Sequence, residues 1–291
     1  MNDVFILFEQ SPVYFYTIVT ILGLLIGSFL NVVIHRLPIM MEREFTAEAK
    51  EFLELEAPKE PNDTYNLVVP RSCCPKCNHP ISALENIPVL SYLWQKGKCK
   101  GCGVAISARY PLVETFTGIL SFVVAYHFGP TWQCLLALIF TWALVALTFI
   151  DFDTMLLPDT IVLPVLWLGL IANTNVLYTD LSNAVIGAAV GYLSLWSIYW
   201  LFKLVTGKEG MGYGDFKLFA LIGAWLGWQA LPVTILLSSL IGAVVGISIM
   251  VIRGKDKNIA IPFGPYLALA GWVAMIWGDA INQAYLKSIG L

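Results

Sequence analysis

Charge is what this sequence has least of. Only 13% of its 291 residues are Asp, Glu, Lys or Arg, while 58% are apolar. Soluble domains carry about 25% charged residues, and half that complement does not cover a globule of this size. An ordinary soluble enzyme, a disordered chain and a collagen-like fibre are excluded. A mean hydropathy of +0.73 leaves a polytopic membrane protein. Basic excess is also missing: the net charge is -3, so a nucleic-acid partner is not expected. Six cysteines are too few for a disulfide scaffold. No Lys or Arg precedes the first apolar run, only Asp3 and Glu9, and no small-residue cleavage site follows it. The run therefore reads as a membrane helix rather than a cleavable signal peptide. The sequence also has no G-x-S-x-G, no H-E-x-x-H and no Cys beside a plausible His partner, so the usual serine, zinc and cysteine hydrolase signatures are absent.

What the chain does have is a succession of apolar runs near the ~20 residues that cross a bilayer. About eight stand out, at roughly 14–36, 111–128, 132–150, 159–173, 181–203, 216–229, 231–252 and 263–282. The fourth and sixth are short, and little more than Pro232 separates the sixth from the seventh. The expected fold class is an all-α polytopic membrane protein with a small cytoplasmic zinc-binding insert. Its expected divisions are a first transmembrane helix over 1–36, the insert over 37–110 and a membrane core over 111–291. Within the insert, the acidic run Glu42 to Glu60 reads as a solvated helix without chemistry.

Lys and Arg placement tests this count independently. Arg36, Arg43, Lys50, Lys59, Arg71, Lys76, Lys96, Lys98, Lys100 and Arg109 fall in or beside the insert. Lys203, Lys208 and Lys217 flank the fifth-to-sixth link, and Arg253, Lys255 and Lys257 follow the seventh run. Eight spans place all of these on one side, which the positive-inside rule makes the cytoplasm. Both termini then lie outside.

Cys74-Pro75-Lys76-Cys77 and Cys99-Lys100-Gly101-Cys102 form two C-x-x-C knuckles. Four thiolates from two tight turns match a closed, structural zinc site with no open position for substrate water. Pro75 fixes one turn, and Gly101 and Gly103 permit positive φ in the other. Disulfides or buried free thiols are the rival reading, which a cytoplasmic location disfavours. Cys73 and Cys134 read as a spare thiol and a small apolar residue.

Ionisable groups at the edge of a membrane are costly and point to function. Asp151 closes the third run, Asp159 is placed to cap the fourth, and Gly210-Met211-Gly212-Tyr213-Gly214-Asp215 opens the sixth. The alternating glycines suit a backbone that bends sharply or lies close to another segment. Two carboxylates sharing a site cannot both ionise, so one acts as base while the other holds a proton. Such a pair activates water without a metal. Equally open on the residues alone is a pairing of Asp151 with Lys217, with Asp215 as a simple helix cap.

The sequence resembles the bacterial prepilin peptidases, membrane aspartic peptidases that also N-methylate their products. The resemblance runs nearly end to end. It rests on Gly27-Ser28-Phe29-Leu30-Asn31-Val32-Val33-Ile34-His35-Arg36-Leu37-Pro38, the paired knuckles and Ser107-Ala108-Arg109-Tyr110-Pro111-Leu112-Val113-Glu114. It continues through Ile150-Asp151, Leu157-Pro158-Asp159 and Gly212-Tyr213-Gly214-Asp215-Phe216-Lys217-Leu218. The resemblance implies Asp151 and Asp215 as the catalytic pair, with Gly212, Gly214 and Lys217 in the supporting loop. It implies type IV prepilins and type II secretion pseudopilins as substrates and a bacterial inner-membrane location. It also implies transfer of a methyl group from S-adenosylmethionine to the new N-terminus, with Gly97 as the candidate residue. The competing class is a transporter or channel with a cytoplasmic zinc module. Against it, the acidic groups lie at one edge rather than at mid-bilayer, and no inverted halves are visible.

Overall fold

The computed structural model describes residues 8, 10–55, 64–253 and 261–288. Asp3, Glu9, Lys59, Lys255 and Lys257 lie outside these. Among the described residues the fold is helical, with two isolated β-bridges, Cys73–Pro80 and Lys98–Ala105, and no strand. The helices are α1 (Pro12–Phe52), α2 (Leu90–Trp94), α3 (Arg109–Phe128), α4 (Trp132–Thr154) and α5 (Asp159–Asn173). They continue with α6 (Leu181–Thr206), α7 (Tyr213–Leu226), α8 (Leu231–Arg253) and α9 (Gly264–Ser288).

Each of the expected apolar runs falls on one of these helices. Among the described residues, five stretches are long and apolar enough to cross a membrane: α1, α3, α4, α6 and Trp228–Ile252, which contains most of α8. Most boundaries shift by a few residues, and two of the shifts have clear causes. First, α1 does not stop at the polar exit Arg36. It continues through Pro38 to Phe52, and the part of the acidic run from Glu42 to Phe52 forms its exposed end because Glu, Lys and Ala are strong helix formers; residues 56–60 of that run lie outside the described residues. Second, the sixth run ends at Leu226 rather than 229. Gly227 turns left-handed there at φ 80°, and a short 3-10 turn (Trp228–Ala230) leads into α8.

The chain divides into two compact units, Met1–Cys134 and Leu135–Leu291. In the first, α1 and α3 meet along a seam of small residues. A Cβ at Gly27 would lie 2.7 Å from Glu114 Cα, so only glycine permits this approach. Asn31 Nδ2 donates to the Tyr110 carbonyl at 3.2 Å, and Glu114 accepts the Val89 N–H at 2.7 Å. Two of the sequence segments that carry the resemblance thus face one another across this seam.

The second unit is built around α7. Phe216, Leu218 to Ile222 and Trp225 are buried, so this helix is apolar on every side. Glycines let its neighbours close in: Gly187 meets Gly223 backbone to backbone, Gly191 meets Phe219, and Gly169 receives the Trp225 ring. The Trp225 indole N–H donates to the Val165 carbonyl at 2.8 Å. At the C-terminal end, the buried Asn173 amide donates to the Ala224 and Trp225 carbonyls at 3.0 Å. These are the orphan acceptors that every helix C-terminus must satisfy.

Candidate active site

Asp151 sits in the last turn of α4, with only 4% of its surface exposed. The Asp151 carboxylate lies against Gly264 at the start of α9, where a Cβ would be 2.5 Å from Oδ2. Its Oδ2 is buried and has no hydrogen-bond partner. Asp215 lies in the first turn of α7, 7% exposed, and its Oδ2 accepts the Gly212 N–H at 3.3 Å. Leu157 packs against both Gly214, next to Asp215, and Gly264, which lies against Asp151. Two buried carboxylates from different helices are thereby brought to one place. Asp153, by contrast, is exposed.

The glycines before Asp215 act by permitting close approach, not by bending. None of Gly210, Gly212 or Gly214 has a positive φ. A Cβ at Gly214 would lie 2.8 Å from Leu157 Cβ, and one at Gly210 would lie 3.0 Å from the Phe202 ring. Upstream, Lys203 at the end of α6 fastens the loop by donating to Glu209 at 2.8 Å and to the Tyr199 hydroxyl at 3.2 Å.

Lys217 does not pair with Asp151. It binds Asp159, and Asp159 is not the N-cap of α5 but its first helical residue, with Pro158 in the capping position. Sequence reasoning also missed Gly264. The available signal was Gly264-Pro265, a pair that commonly opens a helix.

The first unit carries the cysteine cluster. The two knuckles have the same backbone: Cys74 N–H donates to the His79 carbonyl as Cys99 N–H does to Val104, at 3.0 and 2.8 Å. The Asn78 and Gly103 N–H groups return to the Cys74 and Cys99 carbonyls at 2.9 and 2.8 Å. Asn78 and Gly103, at equivalent places, take φ 56° and 70°. Gly101 was expected to share that conformation and does not. Its missing side chain instead makes room for His79, whose Cβ would lie 2.9 Å from a Cβ at Gly101.

Cys74, Cys77, Cys99 and Cys102 place their sulfurs within 4.8 Å of one another, with Cys74–Cys102 and Cys77–Cys99 at 3.9 Å. Zinc–sulfur bonds of about 2.3 Å set tetrahedral sulfurs about 3.8 Å apart, so the four residues fit that ion. The Lys76 and Cys77 backbone N–H groups draw the Cys74 thiol down to about 6. The His79 N–H also draws Cys77 down, but burial and the neighbouring sulfurs outweigh it and leave that thiol at about 12. Four sulfurs this close do not all ionise unless a cation joins them. Cys73 stands outside the cluster, and all six cysteines are free.

Gly97 follows α2 at φ 67°, and a Cβ there would lie 3.0 Å from the Tyr92 hydroxyl. Tyr92 also lines a cavity of about 620 Å³ with Val89, Leu93, Pro111 and Phe116. No charged side chain lines this cavity.

Comparison with known proteins places these features in context. The bacterial peptidase A24 N-terminal domain matches residues 21–128, and the type IV leader peptidase family matches residues 138–247. A protein of Aeromonas salmonicida named prepilin leader peptidase/N-methyltransferase is 61% identical over 279 residues, 96% of each chain. Proteins of the same name from Pseudomonas aeruginosa and Neisseria gonorrhoeae are 59% and 49% identical, covering 97% and 98% of this chain and 97% and 96% of their own. No solved structure matches the chain.

Proposed function

Since the chain belongs to the type IV leader peptidase family, we propose that it removes the N-terminal leader of type IV prepilins and type II secretion pseudopilins and then N-methylates the new N-terminus. The observation that carries this reading is the meeting of Asp151 and Asp215, two nearly buried carboxylates, where α4 ends and α7 begins. The pair holds one proton between its members. The ionised member takes a proton from a water as that water attacks the scissile carbonyl, while the protonated member donates to the carbonyl oxygen. Collapse of the tetrahedral intermediate breaks the C–N bond, and the departing amine takes up the transferred proton. A transporter or channel is the less favoured reading, because both carboxylates stand at helix ends.

Zinc held by Cys74, Cys77, Cys99 and Cys102 is structural: four ligands close its coordination, and the binding energy stabilises the fold of the insert. The proposed divisions remain a first transmembrane segment (1–36), the insert (37–110), into which the end of α1 projects, and the core (111–291). S-adenosylmethionine would supply an electrophilic methyl group. It also brings a sulfonium, an ammonium and a carboxylate, for which the uncharged cavity beside Tyr92 offers no ionic partners. That cavity does not fit the donor. The proposal for methyl transfer is confined to the insert around Gly97. The one-sided Lys and Arg distribution supports placing insert and aspartates at the cytoplasmic edge of the inner membrane, with both termini periplasmic.

The test is the mass of a co-expressed pilin N-terminus, which reports both activities at once. Leader removal and one added methyl are expected with the intact chain. Gly97→Ala should leave the cut but reduce the methyl. An uncut pilin in the presence of folded, membrane-inserted protein refutes the reading.

A further inference from the structure

Asp151 Oδ2 is the one buried side-chain polar atom among the described residues that finds no hydrogen-bond partner. The cause lies in how α9 begins. Its first turn has few N–H groups to offer: Pro265 has none, and those of Tyr266 and Leu267 both return to the Phe263 carbonyl at 3.1 Å. Gly264 itself lies against the Asp151 carboxylate, and its N–H makes no hydrogen bond to Oδ2. There is no space for anything larger than hydrogen on Gly264. A Cβ would lie 2.5 Å from Asp151 Oδ2, 3.2 Å from its Cγ and 3.2 Å from Leu157 Cδ1. Leu157 packs in the same way against Gly214, so one side chain spans from the α9 entrance to the loop carrying Asp215.

We propose that Gly264 is a positioning residue for peptide cleavage: its missing side chain lets the start of α9 close on Asp151 and hold the carboxylate in place, while Oδ2 stays free for the attacking water. The inference rests on the reading of Asp151 as half of the catalytic pair. The positive end of the α9 dipole adds to the effect, since a helix N-terminus favours an anion at that point. A side chain at 264 would push the carboxylate out of line.

The experiment compares Gly264→Ala, Asp151→Asn and the double variant, using full-length enzyme in membranes and a prepilin substrate. Gly264→Ala should lower kcat by about a hundredfold, the usual effect of a misplacement near 1 Å. Its KM should stay within about twofold, because ground-state binding is not involved. Adding Gly264→Ala to Asp151→Asn should cost little more than Asp151→Asn alone. Thermal unfolding of Gly264→Ala with and without Asp151→Ala tests the contact even where the single variant folds poorly, since deleting the crowded carboxylate should restore the midpoint. Normal kcat in Gly264→Ala beside an inactive Asp151→Asn overturns the inference and leaves the catalytic pair standing. So does a raised KM with unchanged kcat, or a midpoint that Asp151→Ala fails to restore. An active Asp151→Asn overturns both the inference and the pair.

Discussion

Lys217 binds Asp159 with both carboxylate oxygens in reach, its Nζ 2.8 Å from Oδ1 and 2.7 Å from Oδ2. The lysine two residues beyond Asp215 therefore joins the first turn of α7 to the first turn of α5. Asp159 is half exposed and Lys217 about a third, so solvent screens the pair and its share of stability is at most about 1 kcal/mol. Its value is geometric: it keeps the Asp215 turn in register with the link that follows Asp151.

Lys217→Met should therefore slow leader cleavage by about tenfold while moving the thermal midpoint by no more than about 2 °C. Asp159→Asn keeps an acceptor oxygen for the lysine and should retain most of the rate. Exchanging the charges, Lys217→Asp with Asp159→Lys, should recover part of the loss. Cleavage rates across these variants decide the point, and a charge-exchanged enzyme no better than Lys217→Asp alone counts against the tie.

Asp151→Asn and Asp215→Asn should each lower cleavage by several powers of ten, roughly, as expected of groups acting as a unit, and the double variant should lose little more. Asp153→Asn serves as the control, since Asp153 is exposed and substantial cleavage should remain. Turnover of a prepilin by membrane-inserted variants is the measurement. Near-normal turnover in either single variant rules out the shared mechanism.

Metal analysis of chain purified under reducing, chelator-free conditions should find one zinc per molecule. Cys74→Ser or Cys99→Ser should release it and loosen the insert, read as faster proteolysis between α1 and α3. Cys73→Ser should retain the metal, because Cys73 stands outside the cluster. Zinc-free wild-type protein under those conditions would exclude the site.

Glu85 gives the insert a pH dependence of definite sign. The Ser82 backbone N–H and hydroxyl hold its carboxyl at about 2, below the ordinary 4.5, with His79 adding to the effect. Lys100, in the second knuckle, lies 3.8 Å from the same carboxylate. A group whose folded value is depressed stabilises fully above its unfolded value and loses that effect as pH falls toward the folded one. The midpoint difference between wild type and Glu85→Gln should thus be constant above about pH 5 and shrink progressively below pH 4.5. Thermal unfolding across that range checks it, and a difference that grows on acidification has the wrong sign.

The apolar runs were legible because each one carries its own length and composition. The knuckles were legible because their spacing is local: Cys74 and Cys77 reach the same ion from one turn. The place where the sixth run ends was not, since Gly227 could equally have continued a buried helix until packing drew it left-handed. Lys217 had several acidic candidates in sequence, and only the approach of α5 to α7 chose Asp159. Gly264 was invisible for the same reason. It lies more than a hundred residues from Asp151, and nothing about a glycine declares which side chain needs the space it leaves empty.

Ten of the fourteen residues of α7 are buried, and Asp215 stands in its first turn. A segment sheathed by other helices presents no girth for acyl chains to squeeze. Helices with lipid-facing sides, such as α6 and α8, tilt or shift when hydrocarbon thickness departs from their length. Because α7 is gripped by glycine contacts and by Asn173, that adjustment is absorbed around it rather than through it. The anchor of Asp215 is thus made of protein contacts, and a change in hydrocarbon thickness reaches it only through the helices around it.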